Sequence, residues 1–278
     1  AIFPAYLLSK VAEQQGVKVL LNGAGGDEIF GGYSRHWPPR VGSPAWVAES
    51  MPTLLRNGVT SLWTMFQPHR GIRASNPVFA WASSVSGVNL SACKQLLRDS
   101  SAYKELNNAI ANEYADIANS SQKSGYAYDR MAVDLKTYLP NDVLALTDKA
   151  SMSASVECRV PLLDHRLVEF AYSLPPDINF YGGNPKGLFR MVLAKRLPAE
   201  LLDRKKDGFN APISEWMQQL GALNIEEELL HHRTSLLDEI LNPAELVKIL
   251  SNPKSRVLAS ETLFSLFLLN RWYRTQAI

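Results

Sequence analysis

Residues 17–33, Val-Lys-Val-Leu-Leu-Asn-Gly-Ala-Gly-Gly-Asp-Glu-Ile-Phe-Gly-Gly-Tyr, decide how this chain is read. Val17, Val19, Leu20 and Leu21 give a short β-branched and apolar strand. It runs straight into Gly23, Gly25 and Gly26, where the backbone can turn sharply and leave amide N–H groups uncovered by side chains. Asp27 and Glu28 follow, and Ile29-Phe30 begins an apolar segment suited to opening a helix. The positive end of that helix adds to the bare amides, so the corner suits a phosphate or pyrophosphate. Asp27 and Glu28 would then hold a hard cation such as Mg²⁺, or a substrate ammonium. An ordinary strand-to-helix turn with an acidic first helical turn accounts for the same residues, because Gly-rich turns recur by chance.

Two further segments carry chemistry. Residues 148–166 read Asp-Lys-Ala-Ser-Met-Ser-Ala-Ser-Val-Glu-Cys-Arg-Val-Pro-Leu-Leu-Asp-His-Arg. The small residues from Ala150 to Ser155 allow close approach of backbone or ligand, and Glu157, Arg159 and Asp164 surround a proline turn. Glu157 and Arg159 stand at i and i+2, so an extended strand points both to one side. A charge network stabilising the turn is the alternative to a catalytic role. The third segment, Arg204-Lys205-Lys206-Asp207-Gly208-Phe209-Asn210-Ala211-Pro212, sets lysines beside a Gly-Phe turn. They could stabilise charge on a transferring phosphoryl group or a tetrahedral intermediate, or form a solvated basic loop.

The bulk numbers set the frame. At 278 residues, 46% hydrophobic and 20% charged, the chain has the composition of an ordinary globular protein with a sizeable core. A net charge of +2 gives no argument for nucleic acid or an anionic membrane as partner. Cys93 and Cys158 fit no metal spacing and suggest a reduced, cytoplasmic protein. No apolar run approaches the roughly 18 residues a bilayer span needs. The chain starts without Met inside an expected helix (Ala5–Glu13), which suggests a piece of a longer protein.

Along the chain, prolines from Pro38 to Pro77 break the region before Asn89 into short helices and loops, with its aromatic residues as core filler. Ser91–Leu139 reads as helical, Pro140 as its end and Asn141 as the N-cap of a helix over Asp142–Met152. Further helices are expected near Leu162–Ser173, Lys186–Leu197, Ile213–Gln219, Asn224–Leu230, Pro243–Leu250 and Ser260–Tyr273.

In this order, the strand with Gly-Ala-Gly-Gly-Asp-Glu, then Asp-Lys-Ala-Ser-Met with Glu-x-Arg-x-Pro-x-Leu-Asp-His, then Arg-x-Lys-x-Gly-Phe-x-x-Pro closely resemble the synthetase domain of glutamine-hydrolysing asparagine synthetases. The motifs are specific in combination and weak singly; the likeness is sparse from about Pro38 to Asp129. The resemblance implies an α/β fold of the adenine-nucleotide-hydrolase type over residues 1–278, partial and mostly helical here because the N-terminal parallel strands and pyrophosphatase loop are missing. It implies that Mg-ATP adenylates the side-chain carboxylate of aspartate, releasing pyrophosphate. Ammonia from a separate N-terminal glutaminase domain then attacks the acyl-adenylate. Cofactors are ATP and Mg²⁺, and a homo-oligomer stays open.

Carried over by position, the resemblance makes Lys206, Glu157 and Asp27 catalytic, with Lys205 the alternative to Lys206 if the loop register slips. Gly23, Ala24, Gly25, Gly26 and Arg159 would bind ATP or pyrophosphate. Asp27, Glu28 and Asp148 would bind substrate, and Asp27 would also take Mg²⁺. Three departures matter. The family's Ser-Gly-Gly-x-Asp-Ser loop is nowhere in this chain, and no cysteine nucleophile leads it, so the isolated piece is expected to bind ATP poorly and to be inactive. Ala24 stands where relatives carry a carboxylate, so an acid–base role there is lost or moved to Glu28. A related amidotransferase or β-lactam-synthetase-like ligase with another acceptor, or a catalytically inactive binding module, are the competing readings.

Overall fold

The computed structural model describes residues 2–37, 85, 90–120, 126–202, 212–213, 215–216 and 225–276. The chain divides into two units, residues 1–38 with 114–211 and residues 39–113 with 212–278.

The first unit holds the Gly-rich turn. Helix α1 (Ile2–Gln14) leads through Gly16 to strand β1 (Val19–Leu21), and five-residue α2 (Gly26–Phe30) follows the turn. Next come α3 (Tyr126–Lys136), a π-helical turn Leu139–Leu144, α4 (Ala145–Met152) and strand β2 (Glu157–Arg159). A 3₁₀ turn Pro161–Leu163 then leads to α5 (His165–Ser173), α6 (Pro176–Asn179) and α7 (Gly187–Leu193). The two strands pair in parallel with Val19 opposite Glu157, Leu20 opposite Cys158 and Leu21 opposite Arg159. Hydrogen bonds continue past both ends: Glu157 N–H donates to Lys18 at 2.8 Å and Asn22 N–H to the Arg159 carbonyl at 2.8 Å. Parallel strands need a long crossover, and here helices supply it.

Local chemistry explains the ends of these elements. Asp164 caps α5 by accepting from Arg166 N–H at 3.0 Å. Gly31, at φ 66°, ends α2 in the left-handed conformation, so Gly32 N–H reaches the Asp27 carbonyl at 2.8 Å. Ile29 and Phe30 of α2 pack with Ala171, Leu162, Val168 and Phe189, with Phe30 stacked on Phe189 at 5.1 Å. A neighbouring cluster joins Tyr128, Met131, Phe180 and Trp37. Asn179, fully buried, donates to the Ile29 carbonyl at 3.3 Å and the Tyr128 hydroxyl at 3.2 Å, tying α6 to α2 and α3.

The expected break at Pro140 does not occur. Tyr138 is helical, Pro140 lies inside the π-helical turn, and Asn141 N–H donates to the Thr137 carbonyl at 3.1 Å instead of opening a new helix as N-cap. The wider turn accommodates a residue with no amide hydrogen and a bulky ring. The expected helix over Ser91–Leu139 resolves into Leu90–Leu96, Ser100–Ser120 and α3.

In the second unit, helices Leu90–Leu96, Ile225–His231, Ser235–Ile240, Pro243–Ser251 and Ser260–Gln276 enclose a core of Leu96, Leu229, Leu237, Leu246, Leu263 and Phe267. Asn242 and Asn252 each cap a helix that begins with proline. The expected helices near 224–230, 243–250 and 260–273 are present to within three residues at their ends. The proline-rich region 38–84 and most of 213–219 lie outside the described residues.

Candidate functional site

The parallel pair fixes the geometry. Leu21 and Arg159 are partners at the carboxyl ends of β1 and β2, so the Gly-rich turn and the Val160-Pro161 turn leave the sheet side by side. In open parallel sheets, ligands bind outside the carboxyl ends of the strands. Within the turn, Asn22 Oδ1 accepts from Ala24 N–H at 2.9 Å, and Gly25 has φ 88°, which only glycine adopts without strain. A Cβ on Gly25 would lie 2.2 Å from Leu163 Cδ2, and one on Gly26 2.9 Å from Leu162 Cδ1. These two glycines are buried and serve the contact with the 3₁₀ turn of the second motif. Gly23 is exposed with nothing within 4 Å of such a Cβ, so Gly23 and Ala24 form the open part of the corner.

Asp27 and Glu28, adjacent in sequence, have opposite environments. Asp27 Oδ1 meets Lys186 Nζ at 3.0 Å, a pair about three-quarters covered. The ammonium group that Asp27 holds is therefore the chain's own. Lys186 sits in the left-handed region at φ 56°, just ahead of α7, and its N–H donates to the Phe30 carbonyl at 3.0 Å. One residue thus grips both ends of α2. Gly32 makes room: a Cβ there would lie 1.8 Å from Asp27 Oδ1 and 2.4 Å from Lys186 Cε.

Glu28 turns inward, is 1% exposed, and accepts from the Tyr33 hydroxyl at 3.1 Å. Burial pushes its carboxyl above the usual range, while hydrogen bonds from its own backbone N–H and then from the Tyr33 hydroxyl hold it back. Burial, with Glu28 next to it, raises the Tyr33 phenol as well. Behind this pair, Arg35 lies over the Tyr33 ring at 3.8 Å and the Tyr138 ring at 4.8 Å. Its Nε donates to Asp134 Oδ2 at 2.7 Å, and His36 Nε2 meets the same oxygen at 2.6 Å. Arg35 supplies the counter-charge for Asp134, so burial wins at His36 and pushes its imidazole below the usual value, toward the neutral form. The bare buried Nδ1 of His36 agrees, since a second buried N–H without an acceptor would be costly.

The second motif is present as expected in part. Glu157 and Arg159 do share a side of β2, joined at 2.7 Å, and both are exposed. Arg159 holds the Glu157 carboxyl below the usual range. Asp148 is exposed at the start of α4. Lys205 and Lys206 lie outside the described residues.

Lys186, Tyr33, Arg35, His36 and Asp134 were not singled out by sequence. Only the Asn184-Pro185-Lys186-Gly187 turn carried a signal for one of them, because a turn there aims residue 186 back across α2.

The donor set bears on Mg²⁺. Asp27 and Glu28 do not form a two-carboxylate seat, because Glu28 faces Tyr33 inside the unit. No cluster of three His, Cys, Asp or Glu fit for a metal is found among the described residues. Asp27 alone, with phosphate oxygens, fits the usual Mg²⁺ habit of one or two carboxylates plus substrate. Among the described residues no helix is long and apolar enough to cross a membrane.

Residues 1–274 match the family described as Asparagine synthase, and the chain belongs to that family. It is 28% identical over 223 residues to the glutamine-hydrolysing asparagine synthetase 1 of Bacillus subtilis, covering 78% of this chain and 34% of the relative. To the mouse glutamine-hydrolysing asparagine synthetase it is 29% identical over 146 residues, 51% of this chain and 25% of the relative. It also matches the amidase chry2 of Gibberella zeae, at 22% identity over 75% of this chain and 34% of the relative. The chain thus spans about a third of the length of the curated relatives that it matches over most of itself.

Proposed function

We propose that this chain carries the synthetase part of a cytoplasmic, glutamine-hydrolysing asparagine synthetase, built on an adenine-nucleotide-hydrolase-type fold. The observation that carries the reading is the β1–β2 register, which sets the Gly-rich turn and the Glu-x-Arg-x-Pro motif at the same strand ends. Family membership supports the ligase class.

In this reading an oxygen of the aspartate side-chain carboxylate attacks the α-phosphorus of ATP. The bond to the bridging oxygen breaks and pyrophosphate leaves with that electron pair. Ammonia, released from glutamine elsewhere in the complete protein, then attacks the acyl carbon. The carbon–oxygen bond breaks, AMP departs and a proton is lost from nitrogen. Gly23 would present its backbone N–H to the phosphates, Ala24 would line the open corner beside it, and Lys186 and Arg159 would serve at the rim as cations. Lys206 would stabilise the intermediate's negative charge, with Glu157 holding Arg159 in place. Asp148 would face the amino-acid substrate, and Asp27 would keep Lys186 in place beside it. Asp27 would hold Mg²⁺, which would supply charge neutralisation for the phosphates.

The test is aspartate-dependent pyrophosphate release by the complete protein, with Lys206→Ala lowering it by orders of magnitude. A second reading, a different carboxylate acceptor, is favoured by Ala24 at the open part of the turn and by the match to an amidase. Release with another carboxylate only would select it, and no release with any carboxylate would leave an inactive binding module.

A further inference from the structure

We propose that the Asp27–Lys186 pair is a plug: Lys186 keeps a divalent cation off Asp27 until a polyphosphate draws its ammonium away, so that metal binds well only together with nucleotide. The proposal deepens the adenylating reading and rests on it for the nucleotide, whereas the pair itself belongs to the fold. Lys186 Nζ lies 3.0 Å from Asp27 Oδ1, and the two side chains are 28% and 22% exposed. A pair covered to that degree is screened less than one in open water, and its two charges cancel. Mg²⁺ and similar cations bind through one or two carboxylates and keep several waters. A carboxylate already neutralised by an ammonium therefore attracts them weakly. Glu28, the next residue, cannot stand in, because it is turned inward onto Tyr33.

The backbone holds the root of the lysine still and leaves its tip able to move. Lys186 N–H donates to the Phe30 carbonyl at 3.0 Å, and a Cβ on Gly187 would lie 2.3 Å from the Tyr181 carbonyl oxygen, so the chain is pinned at and just after this residue. The side chain then runs along α2 through a groove that two glycines leave. A Cβ on Gly32 would lie 2.4 Å from Lys186 Cε, and one on Gly26 4.0 Å from its Nζ. The stem thus passes Gly32, beyond the end of α2, and the ammonium stops beside Gly26, where the Gly-rich turn enters the helix. Gly26 N–H in turn donates to the carbonyl of Gly23, in the open part of the corner, at 3.4 Å. A phosphate held at Gly23 is one turn of chain away from the lysine tip, which reaches it by rotating its flexible stem. Polyphosphate carries more charge than one carboxylate, so it draws Lys186 away and uncovers Asp27 for the metal that accompanies it.

The experiment measures Mn²⁺ binding to the complete protein without nucleotide, by electron paramagnetic resonance, with Asp27→Asn identifying the site by its loss. Lys186→Met is expected to tighten Mn²⁺ at that site roughly tenfold, the effect of removing one nearby like charge. Lys186→Gln is expected to do the same and serves if the Met variant does not fold. Lys186→Arg, which keeps the charge, is expected to leave Mn²⁺ as weakly bound as in the unaltered protein. Calorimetry with ATP and no metal reads the other half. Asp27→Asn, which releases the lysine, is expected to tighten metal-free ATP roughly tenfold, and by less than about twofold in the Lys186→Met background. A lysine that only props α2 would leave Mn²⁺ affinity unchanged in both neutral variants. That result, no Mn²⁺ binding in either of them, or an Asp27→Asn gain that persists undiminished without Lys186, would overturn the proposal. Absence of pyrophosphate release with every carboxylate overturns the adenylating reading instead, and the Mn²⁺ measurement still decides this one.

Discussion

Lys186 spans helix α2 from end to end: its Nζ lies 3.0 Å from Asp27 Oδ1 in the first turn, and its amide N–H donates to the carbonyl of Phe30 in the last. The left-handed backbone at residue 186 makes this double contact feasible, because it turns the chain back just before α7 begins. A cation is thereby placed beside the acidic turn by backbone geometry as well as by charge.

Replacing Lys186 with Met in the complete protein keeps the aliphatic stem and removes the charge. The pair is partly open to water, so unfolding free energy should fall by less than about 1 kcal/mol in a denaturant titration. Pyrophosphate release should fall by about a hundredfold, as for loss of one preorganised electrostatic contact in a transition state. A rate within twofold of the unaltered protein would remove Lys186 from the chemistry.

Two glycines on either side of α2 should respond differently. Gly32→Ala places a methyl 1.8 Å from Asp27 Oδ1 and 2.4 Å from Lys186 Cε, so those two side chains must move apart; a stability loss of about 1 kcal/mol is expected, along with lower activity. Gly23→Ala meets nothing within 4 Å, and its thermal midpoint should stay close to that of the unaltered protein. Equal destabilisation by both would contradict the packing described for the turn.

Stability should depend on pH through His36. Its folded-state value is depressed below the usual 6.5 by burial, so below that pH the unfolded chain binds a proton that the folded one does not. Stability contributed by neutral His36 is therefore present above pH 6.5 and lost as pH falls below it. Glu28, raised above 4.5 by burial, acts with the opposite sign: as pH rises the folded form holds its proton longer than the unfolded chain. Thermal unfolding at pH 7.5 and pH 6 should show the His36 loss, and His36→Gln, which keeps an amide donor for Asp134, should flatten it. An unchanged slope in that variant would assign the dependence to another group.

Much of the first unit could be read from residues alone. The run from Val19 to Phe30 spelled a strand, a glycine turn and a helix, and Glu157-Cys158-Arg159 spelled a strand with two charges on one side; both are present. What sequence could not supply was distance in space between residues far apart along the chain. Asp134 meets Arg35 only because α3 packs beside the segment after α2, and no periodicity reports that. Lys186 read as the first residue of a helix, whereas its left-handed backbone puts it just before one, facing Asp27. Pro140 misled because proline usually stops a helix, and here a wider turn absorbs it. The glycines illustrate a subtler limit: Gly25 and Gly26 fit a phosphate corner, yet their immediate constraint is Leu162 and Leu163. Lys206 lies outside the described residues, and its role rests on motif position alone.

The central claim is that a carboxylate is activated by adenylation, and an isotope reports it directly. The complete protein would be supplied with ATP, glutamine and aspartate bearing ¹⁸O in its side-chain carboxylate, and the products analysed by mass spectrometry. Adenylation followed by amidation leaves one labelled oxygen in AMP and one in the amide, with unlabelled pyrophosphate. Label in inorganic phosphate accompanied by ADP, or unlabelled AMP, would contradict the account.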